Sequence, residues 1–322
     1  MTATAPATPP VAVASSLRAE RWRLRMSGAR AFARRFAGRA DGVLGLAILL
    51  VFAVLAIVPD LFVGPLQNVT AVTGPPFEAP SGAHIFGTDE LGRDLLNLTV
   101  HGARISMAIG FLATMITILV GALIGVVAGY VGGRLDNLLM RLTDFFLVLP
   151  TFVLAIILAP VILDIIGMDA ELFGLRATLI VIVIVIGITS WATTARIIRS
   201  QTLSIRERMF VDRARVIGSG SGHIMRRHIF PNVVNLIVAQ SVITFASAVF
   251  TETSLSFIGL GDPFAPSWGQ ILDTAQQSGA PGLGAWWYIA PPAVCVVLVV
   301  LSFTLVGNAL DDILNPKSRL RR

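Results

Sequence analysis

Apolar residues in this chain fall into long runs rather than into strict alternation or narrow stripes. Six runs, near residues 42–63, 102–130, 140–163, 177–199, 232–256 and 287–310, come close to or exceed the roughly 20 residues that a helix needs to cross a hydrocarbon core. The pattern predicts an all-α polytopic membrane protein with six transmembrane helices. Its expected parts are a basic N-terminal segment over 1–40, a first transmembrane helix over 41–63, an extracytoplasmic loop over 64–101, a five-helix core over 102–310 and a tail over 311–322. The core is interrupted by a polar loop over 200–231. The first run ends at Val58-Pro59-Asp60 without a small-residue cleavage pattern, so a retained span is expected rather than a signal peptide. The Ala/Thr/Pro-rich opening, up to Ser16, is expected to be disordered.

Composition agrees with a bilayer: 55% of residues are hydrophobic and only 14% charged, too apolar for a soluble domain. The charge is informative through its placement. Eight arginines run from Arg18 to Arg39, Arg134 and Arg141 flank the turn after the second run, eight more run from Arg196 to Arg227, and Lys317, Arg319, Arg321 and Arg322 close the chain. All but Arg93, Arg104 and Arg176 of the 25 basic residues then share one side, which places both termini in the cytoplasm. Because these residues track membrane boundaries, no nucleic-acid partner is expected. The lone Cys295 sits in an apolar run and reads as a packed hydrophobe.

Several spans carry polar or special residues. In the extracytoplasmic loop, Phe86-Gly87-Thr88-Asp89-Glu90-Leu91-Gly92-Arg93-Asp94 reads locally as a turn leading into a helix capped by Thr88 or Asp89. Gly121, Gly125 and Gly129 recur every four residues, a face suited to close helix packing. Arg141 and Asp144 are spaced for an i,i+3 ion pair, and Pro150 predicts a kink. Gln240, Thr244, Ser247, Thr251 and Ser254 form one polar stripe on an otherwise apolar helix. Such a stripe faces protein or water, which leaves a translocation path and interhelical hydrogen bonding both open. The loop from Thr251 to Ala285 has no basic residue, and Trp286, Trp287 and Tyr288 mark the outer interface.

Catalytic chemistry is thin. A phosphate-cradling loop needs a lysine after glycines, and the one lysine, Lys317, follows Asn315-Pro316. His84, His101, His223 and His228 show no zinc-ligand spacing, no Gly-x-Ser-x-Gly elbow occurs, and no acidic pair recurs within a span as a proton-coupled carrier would need. An enzyme is not expected, nor a cofactor or metal on this chain. The polar loop is more informative. Ser204 and Glu207 are spaced as a capping box, Gly218 supplies a left-handed stop, and the helix between them is expected to be about 13 residues long, too short to cross a bilayer. Phe210, Ala214 and Ile217 form its apolar stripe and Arg208, Asp212 and Arg215 its charged one. By physics alone it either lies on anionic headgroups or seats in a groove on a soluble partner.

Phe210-Val211-Asp212-Arg213-Ala214-Arg215-Val216-Ile217-Gly218, followed by His228-Ile229-Phe230-Pro231-Asn232, resembles the EAA loop of ATP-binding-cassette (ABC) importer permeases. Here Asp212 stands for the family's Glu and Arg213 for its first Ala. The loop motif over 86–94 with Gly102-Ala103-Arg104-Ile105-Ser106 is similar to the external signature of the dipeptide/oligopeptide/nickel permease group. Arg141-x-x-Asp144 with Pro150, Glu252-x-x-Leu255-Ser256-Phe257-Ile258-Gly259-Leu260-Gly261 with Trp268-Gly269, and Asn308-x-Leu310-x-Asp312-x-Leu314-Asn315-Pro316-Lys317 resemble its C-type subunit.

The resemblance implies a type I importer permease fold in a bacterial cell membrane. It implies four kinds of partner besides lipid: a second, B-type permease, two cytoplasmic ABC ATPase subunits that carry ATP and Mg, and an extracytoplasmic substrate-binding protein. The coupling residues it points to are Phe210, Asp212, Ala214, Ile217 and Gly218; the path residues expected from the stripe are Gln240, Thr244, Ser247 and Thr251. Peptides are the first substrate it suggests, with nickel, glutathione or haem-like cargo as alternatives. A secondary carrier or a passive channel stays open as a different class.

Overall fold

Glycine, proline and charge, rather than the loss of hydrophobicity alone, set where the apolar runs begin and end as helices. The computed structural model describes residue 27 and residues 30–66, 72–167, 170–172 and 175–314. The Ala/Thr/Pro-rich opening and most of the C-terminal tail lie outside the described residues. The first run forms α1 (Ala40–Ile57), after which Pro59 starts a separate short helix, α2 (Asp60–Val63). The second forms α3 (Leu95–Val131), longer than its apolar stretch because Asp94 caps it, accepting a hydrogen bond from the Asn97 amide. The expected caps Thr88 and Asp89 are instead buried within the loop before α3. Thr88 donates to the Pro75 carbonyl and accepts from the Glu78 amide, while Asp89 accepts from the Leu91 and Arg93 amides and pairs with the Arg93 side chain.

The third run is not one straight span. It splits into α4 (Gly133–Val148) and α5 (Thr151–Ile166), bent by 92° at Pro150, which has no amide hydrogen with which to continue the first helix. Asp144 does not pair with Arg141 on its own helix; it meets Arg196 at 2.5 Å across to α6 (Ala177–Arg206). A two-residue antiparallel ladder, β1 (Glu171–Leu172) with β2 (Leu175–Arg176), joins α5 to α6. After α6 come α7 (Met209–Val216), α8 (Ser221–Ile224), a π-helical turn (Met225–Ile229) and α9 (Phe230–Leu255). Helices α10 (Trp268–Gln277) and α11 (Trp286–Leu314) complete the order. Among the described residues, five helices are long and apolar enough to cross a membrane, and the bent α4–α5 pair makes a sixth if counted as one span.

The most extensive helix contact joins α3 to α6, and the three glycines make it possible. A Cβ at Gly121, Gly125 or Gly129 would stand 2.6–3.0 Å from backbone and side-chain atoms of α6, so the close-packing reading of that face holds. At the start of α3, Leu95, Leu98, Ile271, Ala275 and Tyr288 bury a small core beneath the loop over 72–94. The Tyr288 hydroxyl donates to Glu90 at 2.5 Å, fastening that loop to the start of α11.

Candidate functional site

α6 runs on past its apolar stretch, and its C-terminal end carries the polar loop. Arg199 makes a two-point hydrogen bond to Asp136 of α4, at 2.5 and 2.7 Å, which ties this end to the neighbouring helix. Ser204, expected as a cap, lies inside the last turn of α6, and the chain breaks only at Glu207 and Arg208. Tertiary packing overrides the capping box here: Ile198, Thr202 and Ile205 are buried and keep α6 helical through Ser204. The separate helix α7 is therefore 8 residues rather than about 13, roughly 12 Å long at 1.5 Å per residue.

Shortening α7 changes which residues share a face. Val211 and Ala214, three apart, point inward and are buried with Tyr130, Ile198, Ile205, Ile224, Ile229 and Val233. The expected stripe of Phe210, Ala214 and Ile217 does not form, because Ala214 faces the core while Ile217 lies past the end of the helix in solvent. Met209, Val216 and Ile217 are 75%, 88% and 83% exposed, and Phe210 sits at the edge with its ring 6.1 Å from that of His228. Asp212 is exposed and pairs with Arg215 at 2.9 Å, and the Arg215 guanidinium lies 5.8 Å from the Tyr130 ring centre.

Gly218 ends α7 as expected, with φ of +87°. The Ser219 amide bonds to the Ala214 carbonyl at 3.0 Å and the Gly218 amide to the Arg215 carbonyl at 2.9 Å, a Schellman closure that requires the left-handed residue. The result is a short helix braced from behind by Val211 and Ala214 that presents large apolar side chains to water. Val211, the deepest of these anchors, and Met209 and Val216, two of the three most exposed, were not singled out in the sequence. An apolar residue at every third or fourth position fits several registers, and only the true start of α7 selects one.

The polar stripe lies on α9. Thr244 is buried, Gln240 and Thr251 are half-buried and Ser247 is exposed. The hydroxyls of Ser247, Thr251 and Ser254 bond back to carbonyls four residues earlier on α9, at 3.4, 2.8 and 2.8 Å, so they cross-link no two helices of this chain. Among the described residues, no three His, Cys, Asp or Glu side chains gather as a metal cluster would need.

Residues 121–320 match the family described as binding-protein-dependent transport system inner membrane component. The chain is 36% identical over 290 residues to the dipeptide transport system permease protein DppC of Bacillus subtilis (strain 168), which spans 89% of this chain and 85% of that protein. It is 33% identical over 288 residues to the oligopeptide transport system permease protein OppC of the same organism, 88% of each chain. In fold it is similar to a chain of the MetNI methionine ABC transporter solved in inward-facing conformations, with a TM-score of 0.53 and 19% identity over 68% of this chain and 95% of that one.

Proposed function

This chain belongs to the family of binding-protein-dependent transport system inner membrane components, and we propose that it is one permease subunit of an ATP-driven peptide importer. In this reading a second permease completes the pathway, an extracytoplasmic binding protein delivers the peptide, and two cytoplasmic ABC ATPases bind ATP and Mg and supply the work. Both termini are cytoplasmic, and hydrolysis belongs to the ATPases rather than to this chain. The peptide assignment is supported by the dipeptide and oligopeptide permeases that resemble the chain over nearly its full length.

The observation that carries the proposal is the exposed apolar face of Met209, Val216 and Ile217 on a helix whose opposite face is locked into the protein. Large apolar side chains held rigidly in water mark a docking surface. Val211 and Ala214 transmit displacement of that surface to the ends of α3, α6 and α9, with which they pack. Work passes from ATPase to permease only through contacts that differ between two states, and a braced lever of this kind supplies such a contact. Asp212 orients the face through Arg215, Gly218 closes it, and Gln240, Thr244, Ser247 and Thr251 line the path.

Peptide uptake into proteoliposomes that hold the assembled transporter tests this reading. Asp212→Arg and Gly218→Leu are expected to abolish uptake while the permease remains in the membrane. Undiminished uptake with peptide-stimulated ATP hydrolysis in both variants would overturn it.

A further inference from the structure

Before α1 begins, residues 30–37 are helical and are separated from α1 by a break, and the transport reading leaves them unused. At 100° per residue, Phe32 and Phe36 share one face, their rings stacked with centroids 6.4 Å apart. Arg30 and Arg34 have the same spacing but are offset by two residues, about 200° around the helix, on the opposite face. Arg35 lies between. The helix is therefore divided lengthwise into an aromatic side and a cationic side.

Its setting fixes its orientation. The chain leaves the helical conformation at Gly38 and Arg39, with Arg39 extended at φ −109° and ψ 103°, so the segment does not continue α1 along its axis. The Phe36 ring packs against Gly42, 3.1 Å from where a Cβ would stand, which turns the aromatic side toward the membrane end of α1. Arg39 is bound to Asp41 and to Asp312 at the end of α11, at 2.9 and 2.6 Å, and these bonds push its pKa upward. The nearby carboxylates Asp41 and Asp312 are thus engaged by Arg39, and among the described residues no carboxylate forms an ion pair with Arg30, Arg34 or Arg35.

We infer that residues 30–37 are an interfacial anchor for anionic phospholipid. Phe32 and Phe36 rest at the boundary of the acyl chains, and Arg30, Arg34 and Arg35 hold headgroup phosphates. The segment leads directly into a membrane span, and an aromatic side opposite a basic side is the division that a helix in the headgroup plane of an anionic leaflet requires. The inference does not depend on the ATPase or the peptide.

The test uses the full-length Cys295→Ser chain with an environment-sensitive fluorophore on Ala33→Cys, in nanodiscs of phosphatidylcholine alone or of equal parts phosphatidylcholine and phosphatidylglycerol. In the anionic discs the emission is expected to shift to the blue and resist quenching by aqueous iodide, and added salt should reverse both effects. Each arginine near an anionic surface contributes roughly a fivefold change, so R30Q/R34Q/R35Q should weaken docking on the order of a hundredfold. Identical emission in the two kinds of disc would overturn the proposal without reliance on any arginine variant. So would a blue shift that appears only when ATPase subunits are added, which would assign the face to a protein.

Discussion

Gly125→Ala places one methyl group where α6 presents its backbone to α3 at close range. Its Cβ would stand 2.6 Å from the Ala195 carbonyl oxygen, 2.9 Å from the Ile198 Cβ and 3.0 Å from the Arg199 amide nitrogen. Ordinary contact begins at 3.4 Å, a shortfall of 0.8 Å against the first of these. Two of the three atoms are backbone and the third is bonded to it, so none yields by a side-chain rotation. Overpacking of this kind costs about 1–3 kcal/mol, against which the better helix propensity of alanine returns about 1 kcal/mol. A net loss of up to about 2 kcal/mol is expected. Unfolding of the purified chain in mixed micelles, followed by circular dichroism as denaturing detergent is added, measures it. Gly222→Ala is the control: no atom lies within 4 Å of its added Cβ and its φ is ordinary, so it should be neutral or slightly stabilising. Because α6 leads into α7, Gly125→Ala should also slow transport, whereas Gly222→Ala should not. Equal stability of the two variants would refute the reasoning.

Three further outcomes follow from individual contacts. Arg199→Gln leaves Asp136, whose side chain is 12% exposed, without its charged partner and should cost about 3 kcal/mol in the same assay, with part of the loss recovered in Arg199→Gln/Asp136→Asn. Tyr288→Phe removes the hydrogen bond to Glu90 and should destabilise the loop before α3 by about 1.5–3 kcal/mol, read as faster amide exchange over residues 72–94 while the exchange of α6 stays unchanged. Cysteines at Thr244 and Ser247 should react with water-soluble thiol reagents at rates that change when the transporter turns over. Complete protection in every state would assign the α9 stripe to packing.

The membrane helices were legible because a span imposes a length and an apolar content that little else in a sequence imitates. The boundaries at 177, 232 and 287 fall within two residues of the observed helix starts. Glycine spacing also carried over to the α3–α6 contact, since a four-residue repeat of the smallest residue has few other uses in a helix. What failed were local polar signals that tertiary structure reassigns. Ser204 and Glu207 have capping-box spacing, yet the buried side chains of Ile198, Thr202 and Ile205 carry α6 through them. Asp144 has a cation three residues away on its own helix and takes Arg196 from another, because the bend at Pro150 and the packing of α4 on α6 bring the two together. In the candidate site, Gly218 was readable because a left-handed stop needs glycine. The exposed triad of Met209, Val216 and Ile217 was not, since its register depends on where α7 starts.

The central claim is that a separate ATPase drives this chain through the exposed face of α7. Its most direct test is to purify the chain from its native membrane, wild type beside Val216→Asp/Ile217→Asp, and quantify the nucleotide-binding subunits that accompany each. The wild type is expected to bring down ABC ATPase subunits at a fixed ratio, and the double variant to lose them while staying folded in the membrane. Absence of any such subunit from the wild-type preparation, or undiminished recovery with the double variant, would contradict the account.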